Sequence, residues 1–221
     1  MVVSAHPLAS EVGINILKKG GNAADATIAV QFALAVVYPS AGNIGGGGFF
    51  VYRSKDGQCS TLDFREKAPL TSTRDMYLDS SNNVIKNLSL YSHLAVGVPG
   101  TVDGMVNIHK KYGQLPWKEL VQPAIDLATN GFELTRLEAN KLNRFNKTKG
   151  KINKNSEYYK EHFSEGDSIF LPQLSKTLIL IRDHKRAGFY SGETAEMLVK
   201  EMSLNGGKIT QQDLDSYQSI W

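Results

Sequence analysis

The stretch Ala41-Gly-Asn-Ile-Gly-Gly-Gly-Gly-Phe-Phe-Val-Tyr52, followed after a turn by Asp63-Phe-Arg-Glu66, decides how this chain folds. Four consecutive residues of the first segment have no side chain and let the backbone lie where a side chain would clash: Gly45, Gly46, Gly47 and Gly48. The second segment returns beside the first, which brings an arginine, Arg65, close to them. We therefore expect the four glycines to shape a site and to allow a close crossing between a helix and a strand.

A phosphate-binding loop is the main alternative for a glycine run of this kind. Such a loop leaves a strand, ends in Lys-Ser or Lys-Thr, and opens a helix whose N-terminus faces the anion. In this chain the glycines follow a predicted helix and lead into a predicted strand, and no lysine closes them. The order of elements therefore argues against a nucleotide site.

The composition is that of an ordinary globular protein. The chain has 221 residues, of which 41% are apolar and 21% charged, and this length allows one or two domains. We find no internal repeat and no interdomain linker, so we expect a single domain over residues 1–221. The 25 basic and 22 acidic residues give a net charge of only +3. This balance argues against nucleic acid or a membrane surface as partner.

Three further features limit the class of protein. The longest apolar run, 26–38, is interrupted by Gln31 and falls well short of the roughly 20 residues that span a bilayer, so it predicts a buried helix and no transmembrane segment. The first residues lack the basic and apolar regions of a signal peptide. The single cysteine, Cys59, excludes an internal disulfide and is expected to be a packed thiol in a strand.

Local signals place the first elements. Pro7 after His6 predicts the start of a first helix, which Gly20-Gly21 ends. Asn22, with Asp25 three residues later, predicts the cap of a second helix that is apolar on most sides and must therefore be enclosed.

A hairpin is predicted after the glycines, with strands Phe49–Ser54 and Cys59–Arg65 around an Asp-Gly turn. Alternation along the second strand places Thr61, Asp63 and Arg65 on one face and Leu62 and Phe64 on the other. A lone two-stranded hairpin is marginal in water, so either further strands escape the sequence pattern or another chain supplies them.

The rest of the chain is predicted to be mainly helical. A Lys- and Asn-rich stretch, Asn143–Ser156, is predicted to be a solvated loop, since no aromatic residues interleave its lysines as in a nucleic-acid site. The five histidines show neither metal-ligand spacing nor a partnered nucleophile, so no metal site and no cofactor are predicted. Helices are expected near 101–112, 116–130, 136–145, 171–184, 192–205 and 210–217.

Several motifs in a fixed order resemble the large subunit of the gamma-glutamyltransferases, also called glutathione hydrolases. They are, in chain order, Gly20-Gly-Asn-Ala-Ala-Asp25, Pro39-Ser-Ala-Gly-Asn-Ile-Gly-Gly-Gly-Gly-Phe49, Asp63-Phe-Arg-Glu-Lys-Ala-Pro69, Thr73-Arg-Asp-Met76, Val96-Gly-Val-Pro-Gly-Thr101 and Pro123-Ala-Ile-Asp-Leu-Ala128. Weaker similarity extends to Leu214, so the resemblance covers essentially the whole chain.

The resemblance implies an α+β fold, the αββα sandwich of the N-terminal nucleophile hydrolases, of which this chain supplies the large-subunit part. It implies an enzyme that transfers a gamma-glutamyl group from glutathione or a related compound to water, an amino acid or a peptide. It also implies self-cleavage of a precursor, a small-subunit partner in a heterodimer, and a periplasmic or secreted location.

The resemblance further implies which residues act. Arg65 matches the family arginine that binds the α-carboxylate of the donor, a role that suits the planar guanidinium fork. Glu66 and Asp63 are weaker candidates: they would either orient this arginine or be ordinary charged residues of the strand. Without the motif, the more frequent arrangement would be a surface ion pair of Arg65 with Glu66. The nucleophile in this family is the threonine that begins the small subunit. No Thr-Thr-His stretch occurs here, so no catalytic residue is expected in this chain.

Two alternatives remain at this point. A related acylase of the same superfamily, such as a cephalosporin acylase, shares much of the large-subunit pattern and would accept glutaryl donors that lack the α-amine. The chain could instead act as a binding or interaction module without a catalytic partner.

Overall fold

The computed structural model describes residues 1–149 and 162–221, and within them helices predominate over strands. The helices are α1 (Pro7–Lys18), α2 (Ala23–Val37), α3 (Leu88–Tyr91), α4 (Thr101–Tyr112), α5 (Trp117–Asn130), α6 (Arg136–Lys149), α7 (Pro172–His184), α8 (Ala187–Tyr190), α9 (Gly192–Leu204) and α10 (Gln211–Ser216). A 3-10 turn covers His93–Ala95, and the strands are β1 (Phe49–Arg53), β2 (Cys59–Asp63), β3 (Phe132–Glu133) and β4 (Ser168–Ile169).

The first two helices begin where the capping residues predict. His6 caps α1 with its Nδ1 accepting the backbone N–H of Leu8 at 3.2 Å, and Pro7 follows at the first helical position. The Asn22 side chain accepts backbone N–H groups of α2, while the Asp25 carboxylate accepts the N–H of Asn22 at 3.0 Å. Both predicted starts are confirmed, since each cap satisfies N–H groups that have no partner inside the helix.

Helix α2 lies at the centre of the core, as its apolar composition predicts. It packs against α1 on one side and α5 on the other, and Phe32 meets Trp117 edge to face at 5.7 Å between ring centroids. The indole N–H of Trp117 donates to the carbonyl of Ile181 at 3.0 Å and so ties α5 to α7. Because α2 is covered on most sides, ten of its fifteen residues are buried.

Strands β1 and β2 form the predicted antiparallel hairpin, with Phe49 opposite Asp63. Its turn contains Gly57 at φ +85°, a conformation that favours glycine. Leu62 and Phe64 are buried, while Thr61, Asp63 and Arg65 are exposed, so the predicted alternation of faces is confirmed. The buried face contacts α4, because Gly104 leaves room for the ring of Phe64.

Two further β-pairings supply some of the strands that a lone two-stranded hairpin lacks. Ile220 forms an antiparallel bridge with Asp63, through two hydrogen bonds of 2.8 Å, and so extends the hairpin by a third short segment. Farther away, Phe132 of β3 pairs with Ile169 of β4. The sequence pattern did not predict any of these because each segment is too short to show a period.

Two predictions were wrong in detail. Residues 143–149 belong to α6 rather than to a loop, because the Asn143 amide binds the backbone N–H and carbonyl of Phe163, each at 2.8 Å, and so fixes the helix to the chain beyond it. The remainder of the predicted loop, 150–156, lies outside the described residues. Cys59 is in β2 but is exposed rather than packed, since it belongs to the outward face of the hairpin.

Candidate functional site

Arg65 lies just beyond the end of β2, with its side chain 61% exposed. Its Nε is 3.3 Å from Oε2 of Glu66, and its guanidinium carbon lies 5.8 Å from the ring centroid of Phe49. Within the described residues, no acceptor contacts its two terminal nitrogens, Nη1 and Nη2. The outer edge of the fork is therefore open, and a guanidinium edge of this kind can bind a carboxylate through two parallel hydrogen bonds.

The two acidic candidates contact Arg65 in different ways. Asp63 accepts the backbone N–H of Arg65 on Oδ1 at 2.9 Å, whereas Glu66 pairs with its side chain. The pair with Glu66 is thus present, and its geometry uses only one guanidinium nitrogen. Both carboxylates lie where they would orient the arginine, and that role stays a prediction.

The glycine run lies directly against the strand that carries Arg65. A Cβ built on Gly47 would stand 2.8 Å from both Arg65 Cα and Glu66 N, closer than real side chains approach. The carbonyl of Gly46 accepts the backbone N–H groups of Gly100 and Thr101, at 2.7 and 3.0 Å, and so joins the run to the start of α4. The glycines therefore allow a close approach of the loop to residues 64–66 and to the start of α4, whereas their role in shaping a site stays a prediction.

A residue that sequence reasoning missed also contacts Arg65. The Tyr217 hydroxyl donates to the backbone carbonyl of Arg65 at 2.7 Å, from a ring that is only 2% exposed. Burial, and next the negative charges of Asp103, Asp63 and Glu66, raise the pKa of Tyr217 above its usual range, so the hydroxyl keeps its proton. No local pattern identifies this residue, because the contact joins positions 152 apart in sequence.

The outward side of the hairpin presents an apolar surface next to Arg65, which we call the outer face and define by Phe49, Val51 and Ile220. Their exposed fractions are 62%, 78% and 59%. Phe49 and Ile220 both neighbour Asp63 across the strands, so the three residues lie on the same side. Large apolar side chains that are grouped and exposed are typical of an interaction surface.

Neither a metal-binding cluster nor a membrane-spanning helix occurs among the described residues. Among them, no group of three or more His, Cys, Asp or Glu side chains is arranged to hold a metal ion. None of the helices within residues 1–149 and 162–221 has the length and apolar character to cross a membrane.

Comparison with known proteins places the chain in a family. The gamma-glutamyltranspeptidase family model matches residues 9–221. A glutathione hydrolase proenzyme of Pseudomonas sp. (strain A14) is 48% identical over an alignment of 223 positions, which covers 99% of this chain and 39% of that protein. The proenzyme of Escherichia coli (strain K12) is 44% identical over 224 residues, again 39% of its length. The chain thus spans about two fifths of the curated relatives that it matches.

Solved structures agree with this result. The crystal structure of Helicobacter pylori gamma-glutamyltranspeptidase superposes with a TM-score of 0.96 at 46% identity, over 100% of this chain and 64% of that one. Cephalosporin acylase from Bacillus halodurans superposes with a TM-score of 0.83 at 26% identity, over 98% of this chain and 41% of that one. The fold is therefore the large-subunit part of an N-terminal nucleophile hydrolase, as the sequence predicts. The chain belongs to the gamma-glutamyltranspeptidase family.

Proposed function

We propose that this chain is the large-subunit portion of an enzyme that transfers or hydrolyses gamma-glutamyl groups. In this proposal, Arg65 binds the α-carboxylate of a donor such as glutathione, and water, an amino acid or a peptide accepts the gamma-glutamyl group. The 221 residues act as one domain of the larger protein.

The open guanidinium fork is the observation that carries the proposal. The backbone of Arg65 is held on both sides, by Asp63 and by Tyr217, while no acceptor among the described residues contacts Nη1 or Nη2. A fixed arginine with a free fork suits recognition of a carboxylate, since its two parallel hydrogen bonds define both position and orientation. Lysine provides a point charge without this geometry and would not replace it.

The exposed apolar outer face is suited to bind a partner chain that would complete the site. Arg65 lies over Phe49, at the border of this apolar surface. A small subunit packed there would bury Phe49, Val51 and Ile220 and would stand next to the guanidinium. We propose that this small subunit supplies the nucleophilic threonine, whose hydroxyl is activated by its own α-amine. The word "proenzyme" in the names of the relatives agrees with a precursor that is cleaved into two subunits.

A periplasmic or secreted location is part of the proposal, since it follows from the family. The reaction that we propose uses no cofactor or metal, because acyl transfer through a threonine ester requires only a nucleophile, a base and donors to the oxyanion.

The proposal is tested with the complete gene product and two chromogenic donors. Gamma-glutamyl-p-nitroanilide should be cleaved, and glutaryl-p-nitroanilide, which lacks the α-amine, should be a poor donor. The 221-residue chain, purified alone, should release no p-nitroaniline from either. Measurable turnover by that chain would refute the assignment of the nucleophile to the partner, and inertness of the complete product toward both donors would refute the enzymatic role.

A related acylase is the second candidate, because the cephalosporin acylase shares the fold over nearly the entire chain. The same pair of donors separates the two functions. Preference for the glutaryl donor would favour the acylase, whereas preference for the gamma-glutamyl donor would favour the transferase.

A further inference from the structure

Backbone pairs of Phe64 with Gly48 and of Lys67 with Val98 flank Arg65, whereas the N–H and carbonyl of Arg65 itself bond to side chains. Its N–H donates to Asp63 Oδ1 at 2.9 Å, and its carbonyl accepts the Tyr217 hydroxyl at 2.7 Å. Asp63 is exposed and local, whereas Tyr217 is buried and comes from the far end of the chain. The position of Arg65 therefore depends in part on a distant segment.

That segment, residues 217–220, which we call the strap, runs along residues 63–67, the end of β2 and its continuation, which we call the arginine strand. Ile220 exchanges two backbone hydrogen bonds with Asp63, each 2.8 Å long. On the other side of Arg65 along the chain, the Lys67 ammonium donates to the carbonyl of Gln218 at 2.7 Å. The contact of Tyr217 with Arg65 lies between the contacts made by Asp63 and Lys67. The strap and the arginine strand are thus joined over five residues.

A partly buried ion pair clamps the strap. Asp103 of α4 is 3% exposed and accepts both the backbone N–H and the hydroxyl of Ser219 on Oδ2, at 2.8 and 2.7 Å. Its Oδ1 lies 2.9 Å from Nε of Arg186, whose Nη2 donates to the carbonyl of Tyr217 at 2.7 Å. Arg186 Nη2 also contacts carbonyls of Leu214 and Asp215 in the last turn of α10, where a positive charge is favourable.

The ring of Tyr217 has little freedom to turn elsewhere. It stacks on Tyr190 at 5.9 Å between ring centroids, with an interplanar angle of 16°. Gly100 lies so close to its hydroxyl that a Cβ at this position would clash with it. The hydroxyl is therefore directed at the carbonyl of Arg65 by packing on two sides.

We propose that Tyr217 is a positioning residue for donor binding, which holds Arg65 in the orientation that meets the α-carboxylate, and that the Asp103–Arg186 pair holds Tyr217 in place. This inference rests on the proposed function of Arg65. Tyr217 does not contact the donor and acts through the arginine. Loss of its hydroxyl should weaken recognition of the carboxylate and leave the chemical step unchanged.

The test is the kinetics of Tyr217→Phe in the complete enzyme with gamma-glutamyl-p-nitroanilide. This change removes one hydrogen bond and keeps the ring. We expect KM to rise about three- to tenfold, which corresponds to the loss of one hydrogen bond, while kcat changes by less than about twofold. The matched control is Thr194→Val, which removes a buried hydroxyl that donates to Gly188 and has no contact with Arg65. Its KM should equal that of the parent.

Arg65→Lys, measured in parallel, separates this inference from the proposed function. If Arg65→Lys raises KM strongly and Tyr217→Phe leaves it within about twofold of the parent, the role of Tyr217 is refuted and that of Arg65 stands. If Arg65→Lys leaves KM unchanged, both are refuted. A loss of kcat in Tyr217→Phe without a change in KM would also contradict the positioning role. Ser219→Ala removes the hydroxyl bond to Asp103 and the bond accepted from Asn107 but keeps the backbone N–H bond to Asp103. It should raise KM by a smaller factor and serves if Tyr217→Phe folds poorly.

Discussion

Gly47 lies against the backbone of Arg65, and a Cβ on Gly47 would stand 2.8 Å from the Arg65 Cα. No other residue type fits at this crossing unless the strand or the loop moves. The arginine thus owes its place to a residue without a side chain, 18 positions earlier in the sequence. The glycine run contacts the arginine through its backbone, and a role in shaping the site stays a prediction.

Gly47→Ala should displace the arginine strand. We expect a loss of about 1–3 kcal/mol in the free energy of unfolding, typical of overpacking, together with a higher KM for gamma-glutamyl donors. Gly45→Ala is the matched control, since nothing lies within 4 Å of its added Cβ. It should be neutral or stabilise by about 0.4–1 kcal/mol through the unfolded state. Equal effects of the two changes in urea titrations and donor kinetics would contradict this account.

Asp25→Asn should destabilise the junction between α2 and the turn before α5. The buried carboxylate accepts backbone N–H groups of Asn22, Gln114 and Leu115, at 3.0, 3.0 and 3.3 Å. An asparagine amide has a single acceptor oxygen, and its NH2 group would face backbone N–H donors that the carboxylate accepts. We therefore expect a loss of about 2–3 kcal/mol in the free energy of unfolding. Urea midpoints provide the measurement.

The control for that change is Asp126→Asn, which alters an exposed carboxylate that accepts a hydrogen bond from the Gln122 side chain. It should change the free energy of unfolding by less than about 0.5 kcal/mol. A loss at Asp126 as large as that at Asp25 would show that the backbone contacts of Asp25 are not the cause.

Asp103→Asn should loosen the strap. Removal of one partner of a buried ion pair costs about 3–5 kcal/mol, but Arg186 is one-third exposed and solvent screens part of the loss, so we expect about 2–3 kcal/mol. Asp75→Asn breaks the exposed pair with Arg74 and should cost less than about 0.5 kcal/mol. Thermal unfolding of the two variants checks the difference, and similar midpoints would contradict the clamp.

Alkaline pH should destabilise the protein through Tyr190. Its hydroxyl donates to the carbonyl of Pro99 at 2.7 Å, and burial, followed by the charge of Asp103, raises its pKa above the usual range. The unfolded chain ionises near pH 10 while the folded chain does not, so this contribution to stability is complete below about pH 10 and declines above it.

We expect the difference in unfolding free energy between the parent and Tyr190→Phe to shrink by about 1 kcal/mol from about pH 9 to about pH 11. Comparison of the two proteins removes the effect of lysines that titrate in the same range. A difference that stays constant across this range would refute the shifted titration of Tyr190.

Much of the fold could be predicted because its signals are local. Pro7 and the Asn22–Asp25 capping box act within one turn of a helix, and the Asp-Gly turn sets the hairpin between residues that are neighbours in sequence. Such interactions depend on a few adjacent residues, so a single sequence is enough to find them.

The rest depends on distant contacts. The hydrogen bond from Tyr217 to Arg65 spans 152 positions, and the pair of Arg186 with Asp103 spans 83. Nothing near Tyr217 marks it as part of a site, and the bridge of Ile220 with Asp63 is too short to show alternation. The glycines and Arg65 could be predicted as candidates because motifs carry them, whereas the residues that hold Arg65 could be identified only from the folded chain.

The central claim is that Arg65 recognises the α-carboxylate of the donor. The most direct measurement is KM for gamma-glutamyl-p-nitroanilide in the complete protein with Arg65→Lys, beside Arg74→Lys, which alters an arginine side chain that is 92% exposed. Loss of a desolvated bidentate pair costs about 2–5 kcal/mol, so KM should rise at least about thirtyfold for Arg65→Lys and stay at the parent value for Arg74→Lys. An unchanged KM for Arg65→Lys would contradict the claim.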